Sequence, residues 1–339
     1  MLAAYIEQLG TPDSIRYGEL PPPVARAGEV LVDVSVASVN HVDTFVRSGA
    51  WRTPLTFPFV IGRDLAGTVA VSAPGTGFEA GDRVWCNSMG HAGRQGAAAE
   101  RVAVPADRLY RLPDGVDPED AVALAHPAAT AYLALHPHGR VRAGETVVVL
   151  GGGGNVGSAL IVLAVHAGAR VVATASARDT ERCRGLGAAE VIDYRDPDMV
   201  GRLKAACPDG VDVFVDTSAA NDLETAVDLL ARRGRIVVLA GMATRPVLPA
   251  GPLYLQDGSV VGFAISQATA AELAAAADTI GTLLASGKLR PPATVLMPLS
   301  AAADAHGRLE RGEVRGKILL RVAEVKSAGE DLTDHTVVR

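Results

Sequence analysis

Hydrophobic residues in the first 123 positions come in short runs that are separated by turn residues. The runs cover residues 29–39, 65–73, 81–87 and 98–105, with breaks such as Pro74-Gly75 between them. Short runs bounded by proline and glycine are typical of β-strands joined by tight turns. This part of the chain is therefore predicted to be mostly β.

From about residue 124 the pattern changes to strands that alternate with helices. The predicted strands are 146–150, 170–175, 211–217, 235–241 and 259–265, and the predicted helices are 155–167, 179–186 and 221–232. Nearly continuous valine and isoleucine runs are typical of strands buried on both faces, and strand–helix alternation indicates a parallel sheet. Residues 124–265 are therefore predicted to form a doubly wound α/β domain.

The chain after residue 266 is predicted to return to the first domain. Residues 267–287 have the pattern of one long helix with Gly287 as its C-terminal cap, and strand, helix and strand patterns follow. We therefore assign residues 1–123 and 266–325 to one domain and 124–265 to the other. The polar residues 326–339 are expected to form a loosely ordered tail.

Composition narrows the class of protein. The chain has 339 residues, enough for two domains, and a net charge of −6 without any block of Lys and Arg, which argues against nucleic-acid binding. No run approaches the length of a membrane span, and no signal peptide is visible. Cys86, Cys183 and Cys207 show no pairing pattern and are expected to be reduced thiols, so we expect a cytoplasmic protein.

The segment GGGGNVG, residues 151–157, carries the clearest chemical signal. Gly152, Gly154 and Gly157 match the pattern GxGxxG directly after a buried strand, and Asn155 and Val156 open the following helix. Glycines let the backbone approach a pyrophosphate, and the helix N-terminus offers free N–H donors and a positive dipole end. This context predicts a dinucleotide-binding loop rather than an ordinary tight turn.

The end of the second strand of this unit indicates which dinucleotide binds. An NAD site requires a carboxylate there, whereas an NADP site requires its absence and a nearby cation. Residues 173–177 contain no carboxylate, Ser176 can donate to a phosphate, and Arg178 or Arg182 can supply positive charge. We therefore expect NADPH. Asp179 leaves NADH open, and the arginines would otherwise belong to a solvated helix face.

Several motifs resemble the zinc-independent quinone oxidoreductase (zeta-crystallin-like) branch of the medium-chain dehydrogenases/reductases. The most specific is ASVNHVDTFVRSGAW at 37–51, and GRDLAGTV at 62–69, FEAGDRVW at 78–85, LGAAEVIDYR at 186–195 and GKILL at 316–320 support it. The resemblance covers residues 1–322. It implies an α/β protein with a Rossmann doubly wound parallel-sheet coenzyme domain, a mostly β GroES-like catalytic domain, and an active site between them.

The resemblance also implies roles for individual residues. Asn40 is expected near the nicotinamide ribose and the substrate, and Tyr194 near the adenosine 2′-phosphate. The other residues expected to contact the cofactor are Thr130, Gly241, Phe263, Ala264, Ile265 and Lys317. Relatives commonly pair the edge strand equivalent to 259–265, so the resemblance implies a homodimer.

Three side chains near Asn40 are candidates for substrate chemistry. His41 is the titratable group of this segment that can relay a proton near neutral pH, unless it only packs or faces solvent beside the cleft. Phe45 and Trp51 are expected to form a wall for a planar substrate, with ordinary core packing as the alternative. Phe45 replaces a tyrosine that many relatives carry.

We expect no metal ion, because the positions around Asn40 and Arg63 lack the Cys and His of zinc-dependent relatives, and no cysteine lies between Cys86 and Cys183.

The leading hypothesis is an NADPH-dependent enzyme that delivers hydride to a quinone or a similar conjugated carbonyl. The alternatives are a 2-enoyl or alkenal double-bond reductase, possible in a biosynthetic pathway, and a non-catalytic NADPH-binding protein.

Overall fold

The structure is a computed structural model, and it describes residues 1–322; the tail predicted over 326–339 lies outside the described residues. The strands are β1 (Leu2–Ile6), β2 (Arg16–Glu19), β3 (Glu29–Val39), β4 (Phe59–Val60), β5 (Asp64–Ser72), β6 (Arg83–Cys86), β7 (Arg101–Pro105), β8 (Tyr110–Arg111), β9 (Thr146–Leu150), β10 (Arg170–Ala175), β11 (Glu190–Asp193), β12 (Val211–Asp216), β13 (Leu230–Val238), β14 (Ser259–Gly262), β15 (Thr294–Pro298) and β16 (Lys317–Arg321). The α-helices are α1 (His41–Ser48), α2 (Pro118–Leu133), α3 (Asn155–His166), α4 (Thr180–Gly185), α5 (Met199–Ala206), α6 (Leu223–Leu229), α7 (Ala250–Leu255), α8 (Ala270–Ala285) and α9 (Ala302–Glu310).

A six-stranded sheet confirms the predicted coenzyme domain. Its strand order is β11-β10-β9-β12-β13-β14, and every neighbouring pair is parallel. Val147 and Val149 belong to the apolar core on one face, with α2, α3 and α8, whereas Val148 belongs to the core on the other face, with α5 and α6. Because successive side chains of a strand point to opposite faces, a sheet covered by helices on both sides requires the unbroken Val-Val-Val run.

The first part of the chain forms two mostly antiparallel sheets, and the later strands β15 and β16 complete the larger one. A seven-stranded sheet has the order β15-β16-β3-β5-β6-β8, with β7 also paired to β3, and β2-β1-β4 form a separate three-stranded sheet. The last described strand, β16, runs antiparallel to β3 and pairs Ile318 with Val39. This register places Lys317 opposite Asn40.

Some elements differ from the predictions. The sequence did not predict the helices α1 and α2, and the helix predicted over 221–232 ends at Leu229 because Leu230 already pairs with Val211 in the sheet. The strand predicted over 259–265 ends at Gly262, where the chain leaves the sheet for a single 3-10 turn over Ile265–Gln267.

The long helix α8 confirms the prediction for 267–287, and Gly287 after its end adopts a φ of +67°. Its buried residues Leu273, Ala276 and Ile280 share one apolar core with α2 and α3. The domain boundary that we assigned between residues 265 and 266 stays a prediction.

No helix within residues 1–322 is long and apolar enough to span a membrane.

Candidate active site

A cleft of about 990 Å³ lies between the coenzyme domain and the catalytic domain. Segments from both domains line it, and so do most of the residues that the sequence singled out. Of the predicted residues, those at its wall are Asn40, His41, Phe45, Trp51, Thr130, Gly154, Asn155, Val156, Arg178, Gly241, Phe263, Ala264, Ile265 and Lys317. Gly152, Gly157, Ser176 and Tyr194 are not at the wall.

The glycine loop connects β9 to the N-terminus of α3. A Cβ on Gly157 would lie 2.1 Å from the carbonyl oxygen of Gly151, so only glycine lets the helix start this close to the strand. Gly152 anchors the turn by donating its backbone N–H to the carbonyl of Thr174 at 2.8 Å. The first turn of a twelve-residue helix then faces the cleft with free N–H donors, which is a geometry that fits a pyrophosphate.

Asn155 links this loop to the catalytic domain. Its side-chain Nδ2 donates to the backbone carbonyl of Gly316 at 3.0 Å. Gly316 has a φ of +91°, and a Cβ there would lie 2.3 Å from the carbonyl oxygen of Ala293. The first residue of α3 therefore fixes the segment that leads into Lys317, a role that the sequence analysis did not predict.

A buried polar network lies at the other side of the cleft. The Nδ2 of Asn40 donates to Oδ2 of Asp64 at 2.8 Å and to Oδ2 of Asp43 at 3.3 Å, and the ammonium of Lys317 donates to Oδ1 of Asn40. The hydroxyl of Ser38 also donates to Oδ2 of Asp64, at 2.7 Å. The ammonium nitrogen of Lys317 lies 3.9 Å from the same carboxylate oxygen. These contacts hold Asn40 and Lys317 in fixed positions.

Burial dominates the ionisation of this network. It raises the pKa of Asp43 to about 6, with the neighbouring Asp64 adding to the shift. It raises the pKa of Asp64 and lowers the pKa of Lys317, although the attraction between these two groups opposes both shifts. The network therefore contains groups whose protonation is sensitive to the charge of their neighbours.

His41, Phe45 and Trp51 form the wall beside this network. His41 is the first residue of α1, and desolvation of its ring by the surrounding cleft together with the charge of Lys317 lowers its pKa. The backbone N–H of Trp51 donates to the carbonyl of Phe45 at 3.0 Å, which keeps the two aromatic residues together. Both rings contribute apolar surface to the cleft.

Loops that follow β13 and β14 shape the opposite wall. Gly241 has a φ of +82°, and a Cβ there would lie 2.5 Å from Nδ2 of Asn221. The ring of Phe263 stacks on His138 with centroids 4.5 Å apart. The hydroxyl of Thr130 donates to the carbonyl of His126 at 2.9 Å, so its hydrogen is already used within α2.

The end of the cleft near β10 differs from the expectation. Ser176 is buried and its hydroxyl donates to Asp179 at 2.6 Å, so it is not free to donate to a phosphate. Arg182 donates to Asp179, to the carbonyl of Gly153 and to the hydroxyl of Ser158. Arg178 is half-exposed and lies 3.7 Å from Asp179.

Tyr194 lies outside the cleft wall, on the surface. Its ring is exposed and the guanidinium of Arg195 lies 4.6 Å above it. The structure also adds cleft residues that we did not single out: Ser218, Ala219, Met242, Pro292, Ala293, Leu309, Val314 and Arg315. Arg315 could have been identified from the sequence, because it is a cation two residues before Lys317. The apolar residues have no chemical feature that marks them as part of a site.

Arginine and carboxylate side chains occupy the segments around Asn40 and Arg63, where the resemblance led us to look for zinc ligands. Arg63 is buried beside Asp64, and its Nε and Nη2 have no hydrogen-bond partner within the described chain. Burial raises the pKa of the nearby Cys86 to about 11, which keeps the thiol protonated. Over residues 1–322, no group of three or more His, Cys, Asp or Glu side chains is arranged to bind a metal ion.

Comparisons with known proteins extend over both domains. The alcohol dehydrogenase GroES-like domain family matches residues 26–114, and the zinc-binding dehydrogenase family matches residues 155–281. The quinone oxidoreductase of Mus musculus is 30% identical over 327 residues, which are 94% of this chain and 97% of the mouse protein.

Solved structures show the same architecture. A crystal structure of an NAD-dependent alcohol dehydrogenase has a TM-score of 0.84 and 31% identity, covering 95% of this chain and 100% of its own. A mycobacterial protein complexed with NADPH has a TM-score of 0.79 and 29% identity, covering 95% and 100% of the two chains. The chain belongs to the quinone oxidoreductase-like branch of the medium-chain dehydrogenase/reductase superfamily, and it is an oxidoreductase that uses a nicotinamide cofactor.

Proposed function

We propose that the protein transfers a hydride from NADPH to a quinone or a similar conjugated carbonyl without a metal ion. One observation carries this proposal: a single cleft brings together the glycine loop, the Lys317 ammonium and the aromatic pair Phe45 and Trp51. When bound, the nicotinamide supplies the hydride. The chain contributes the N–H groups of α3 for the pyrophosphate, a cation beside the reacting end and apolar surface for a flat substrate.

NADPH is proposed over NADH because of the charge at the end of β10. The strand ends at Ala175 without a carboxylate, and the half-exposed Arg178 lines the cleft. A related mycobacterial structure contains NADPH. Asp179 also lines the cleft and favours NADH, but two arginines lie beside it, so this group of three side chains has a net positive charge.

The cofactor proposal is tested by Arg178→Ala, with Arg184→Ala as its control. Both arginines have side chains that are 54% exposed, but Arg184 pairs with Glu181 away from the cleft. A lost charge-assisted contact to the 2′-phosphate weakens NADPH binding by about tenfold or more, and NADH binding stays unchanged. An unchanged preference in Arg178→Ala, measured by titration with both cofactors, would show that the phosphate binds elsewhere.

The substrate class is tested by NADPH oxidation with a panel of acceptors. We expect turnover with 9,10-phenanthrenequinone and slower turnover with 2-alkenals. Faster reduction of 2-alkenals would favour the second candidate, a 2-enoyl or alkenal double-bond reductase, which the absence of a hydroxyl at Phe45 supports. Rates equal to buffer for both classes would contradict both candidate substrate classes. Stoichiometric zinc by elemental analysis would contradict the metal-free proposal.

A homodimer is proposed through the region of residues 259–265. Strand β14 lies at the edge of the six-stranded sheet, with β13 on its one paired side. Exposed apolar side chains precede it, namely Met242, Val247, Leu248, Tyr254 and Leu255. An unpaired edge next to exposed apolar side chains is the kind of surface that a second copy covers.

The free cysteines Cys86, Cys183 and Cys207 support a cytoplasmic location.

A further inference from the structure

We infer that Lys317 is a catalytic residue, whose ammonium stabilises the negative charge that forms on the substrate's carbonyl oxygen and then donates a proton to it. The inference deepens the proposed function and rests on it. It identifies the proton donor that a metal-free reductase of conjugated carbonyls needs in place of a Lewis acid.

The fold places Lys317 at the wall of the cleft with little freedom. The side chain is 4% exposed, and its backbone N–H donates to the carbonyl of Ala293 at 2.9 Å. The antiparallel register of β16 with β3 sets Lys317 opposite Asn40. The tether from Asn155 to Gly316 fixes the residue before it. Lys317 is therefore held both by the catalytic domain and by the cofactor loop.

The hydrogen bonds of the network leave Lys317 as the available donor. Both Nδ2 hydrogens of Asn40 are directed at the carboxylates of Asp43 and Asp64, so its amide oxygen faces Lys317 and it has no free N–H for a substrate. The Lys317 ammonium carries three N–H groups, of which one is used by Asn40 and a second can point toward Asp64, whose Oδ2 lies 3.9 Å from the nitrogen, beyond hydrogen-bond distance. A third remains for the cleft, whose wall includes this side chain.

Neighbouring side chains are less suited to this role. The hydroxyl of Thr130 donates to the carbonyl of His126, and Phe45 has no hydroxyl. His41 has a lowered pKa, because burial and the positive charge of Lys317 both disfavour its protonated form. His41 is therefore mostly neutral at neutral pH, whereas the attraction of Asp64 and Asp43 favours the charged form of Lys317 against burial.

Charged groups from three elements set the ionisation of Lys317. Asp64 of β5 and Asp43 of α1 raise its pKa, and burial lowers it. His41 of α1 and His126 of α2 also lie within electrostatic range of the ammonium. Arg63, buried beside the two carboxylates, partly neutralises them. The balance gives an ammonium that is more acidic than an exposed lysine and still paired.

The proposed step is balanced in protons and electrons. When bound, the reduced nicotinamide supplies a hydride to the conjugated carbon of the substrate. The electron pair of the carbon–carbon double bond moves to the carbonyl oxygen, which becomes negatively charged. Lys317 transfers one N–H proton to this oxygen and becomes a neutral amine, so the substrate gains one hydride and one proton. A proton from solvent then restores the ammonium.

The test removes the Lys317 charge without leaving a buried carboxylate unpaired. The double variant Lys317→Met/Asp64→Asn keeps an acceptor for Ser38 and Asn40 while it removes both charges. Its kcat is expected to fall by about a hundredfold or more, the range of general acid catalysis. A circular dichroism spectrum and a urea-unfolding midpoint close to those of the wild type establish that the variant folds. Wild-type kcat in this variant would overturn the inference.

A spectroscopic readout needs neither cofactor nor turnover. Ionised 4-nitrophenol mimics the charged oxygen, and its phenolate absorbs visible light. In the wild-type protein without cofactor, we expect the bound phenol to ionise at least about one pH unit lower than in solution, because a cation beside it favours the phenolate. In Lys317→Met/Asp64→Asn this shift is lost. Titration at the solution pKa in the wild-type protein would contradict the inference.

The single variant Asp64→Asn separates proton donation from charge alone. Removing this carboxylate lowers the pKa of Lys317, so the loss of kcat at alkaline pH moves to lower pH by about one unit or more. Lys317→Arg keeps a charge but hardly releases a proton, so it retains the phenolate shift and loses kcat. An alkaline limb that stays in place in Asp64→Asn would exclude Lys317 as the acid.

The outcomes distinguish the inference from the proposed function. If neither quinones nor alkenals support NADPH oxidation by the wild-type protein, the proposed function fails. The phenol titration still reports whether Lys317 stabilises an oxygen anion. Suppose instead that the wild-type protein turns over, that Lys317→Met/Asp64→Asn keeps the wild-type kcat, and that bound 4-nitrophenol ionises at its solution pKa. The proposed function then stands and the inference fails.

Discussion

Single residues in the loop 151–157 show what local sequence can and cannot reveal. The spacing of Gly152, Gly154 and Gly157 predicts the turn because Gly154 and Gly157 lie against Gly151 a few positions away, and the contacts of Gly152 with Ala173 and Thr174 stay within the same strand–helix–strand unit. The role of Asn155 could not be predicted, since its partner Gly316 is 161 positions away in the chain. The hydroxyl of Ser176 was expected to face a phosphate, but it donates to Asp179 three residues later.

Gly157→Ala tests the loop at the scale of one methyl group. The added Cβ would lie 2.1 Å from the carbonyl oxygen of Gly151 and must push α3 away from β9. Overpacking of this kind costs about 1–3 kcal/mol of unfolding free energy, and the displaced helix weakens NADPH binding by at least about tenfold. Urea unfolding and fluorescence titration with NADPH measure both effects.

Gly185→Ala is the matched control, because a Cβ there meets nothing within 4 Å. We expect no loss of NADPH affinity and unchanged or slightly higher stability in this variant. Equal behaviour of the two variants would mean that the close approach at Gly157 is not what shapes the cofactor loop.

At the scale of elements, strands were more predictable than helices. β3, β9 and β10 have the predicted bounds because their apolar runs and flanking turns are local features. Helix α1 was missed, although Asn40 and Asp43 form a capping box at its start, because its eight residues are too few for a clear period. It is held in place from outside by α9, which lies far away in the sequence.

The contact between α1 and α9 predicts that Glu310→Ala is destabilising. Arg47 is 2% exposed, and Glu310 is the one acceptor that its guanidinium has within residues 1–322. Loss of a hydrogen bond to a buried charged group costs about 1.5–3 kcal/mol. Because α1 carries His41 and Phe45, the KM for a quinone also rises. Urea unfolding and steady-state kinetics measure these changes.

Glu313→Ala provides the comparison, since Glu313 pairs with Arg311 at an exposed position. Exposed pairs contribute about 0–1 kcal/mol, so this variant should resemble the wild type. If Glu310→Ala were as stable as Glu313→Ala, the position of α1 would have to depend on its apolar contacts alone.

At the scale of the whole molecule, the sequence pattern predicted two domains and the resemblance implied an active site between them, but neither indicated how the cleft is completed. The network around Asn40 depends on β16, which returns from the end of the described chain to pair with β3. No local pattern reveals that Lys317 lies opposite Asn40, because register between distant strands is set by the packed fold. The resemblance named Lys317, and its hydrogen bonds required the structure.

The dimer proposal also belongs to this scale. Tyr254→Lys/Leu255→Lys places two charges on the exposed apolar surface beside β14. We expect the double variant to be monomeric by light scattering at concentrations where the wild type is a dimer, because burying these charges is unfavourable. Val24→Lys, at an exposed position before β3, should stay dimeric. A dimer in all three proteins would exclude this surface as the interface.

The most direct test of the account is a crystal structure of the protein with NADPH. We predict the pyrophosphate at the N-terminus of α3, the 2′-phosphate beside Arg178, and the nicotinamide in the cleft between Lys317 and the loop at Gly241. NADPH bound outside this cleft, or bound with its nicotinamide remote from Lys317, would contradict the account.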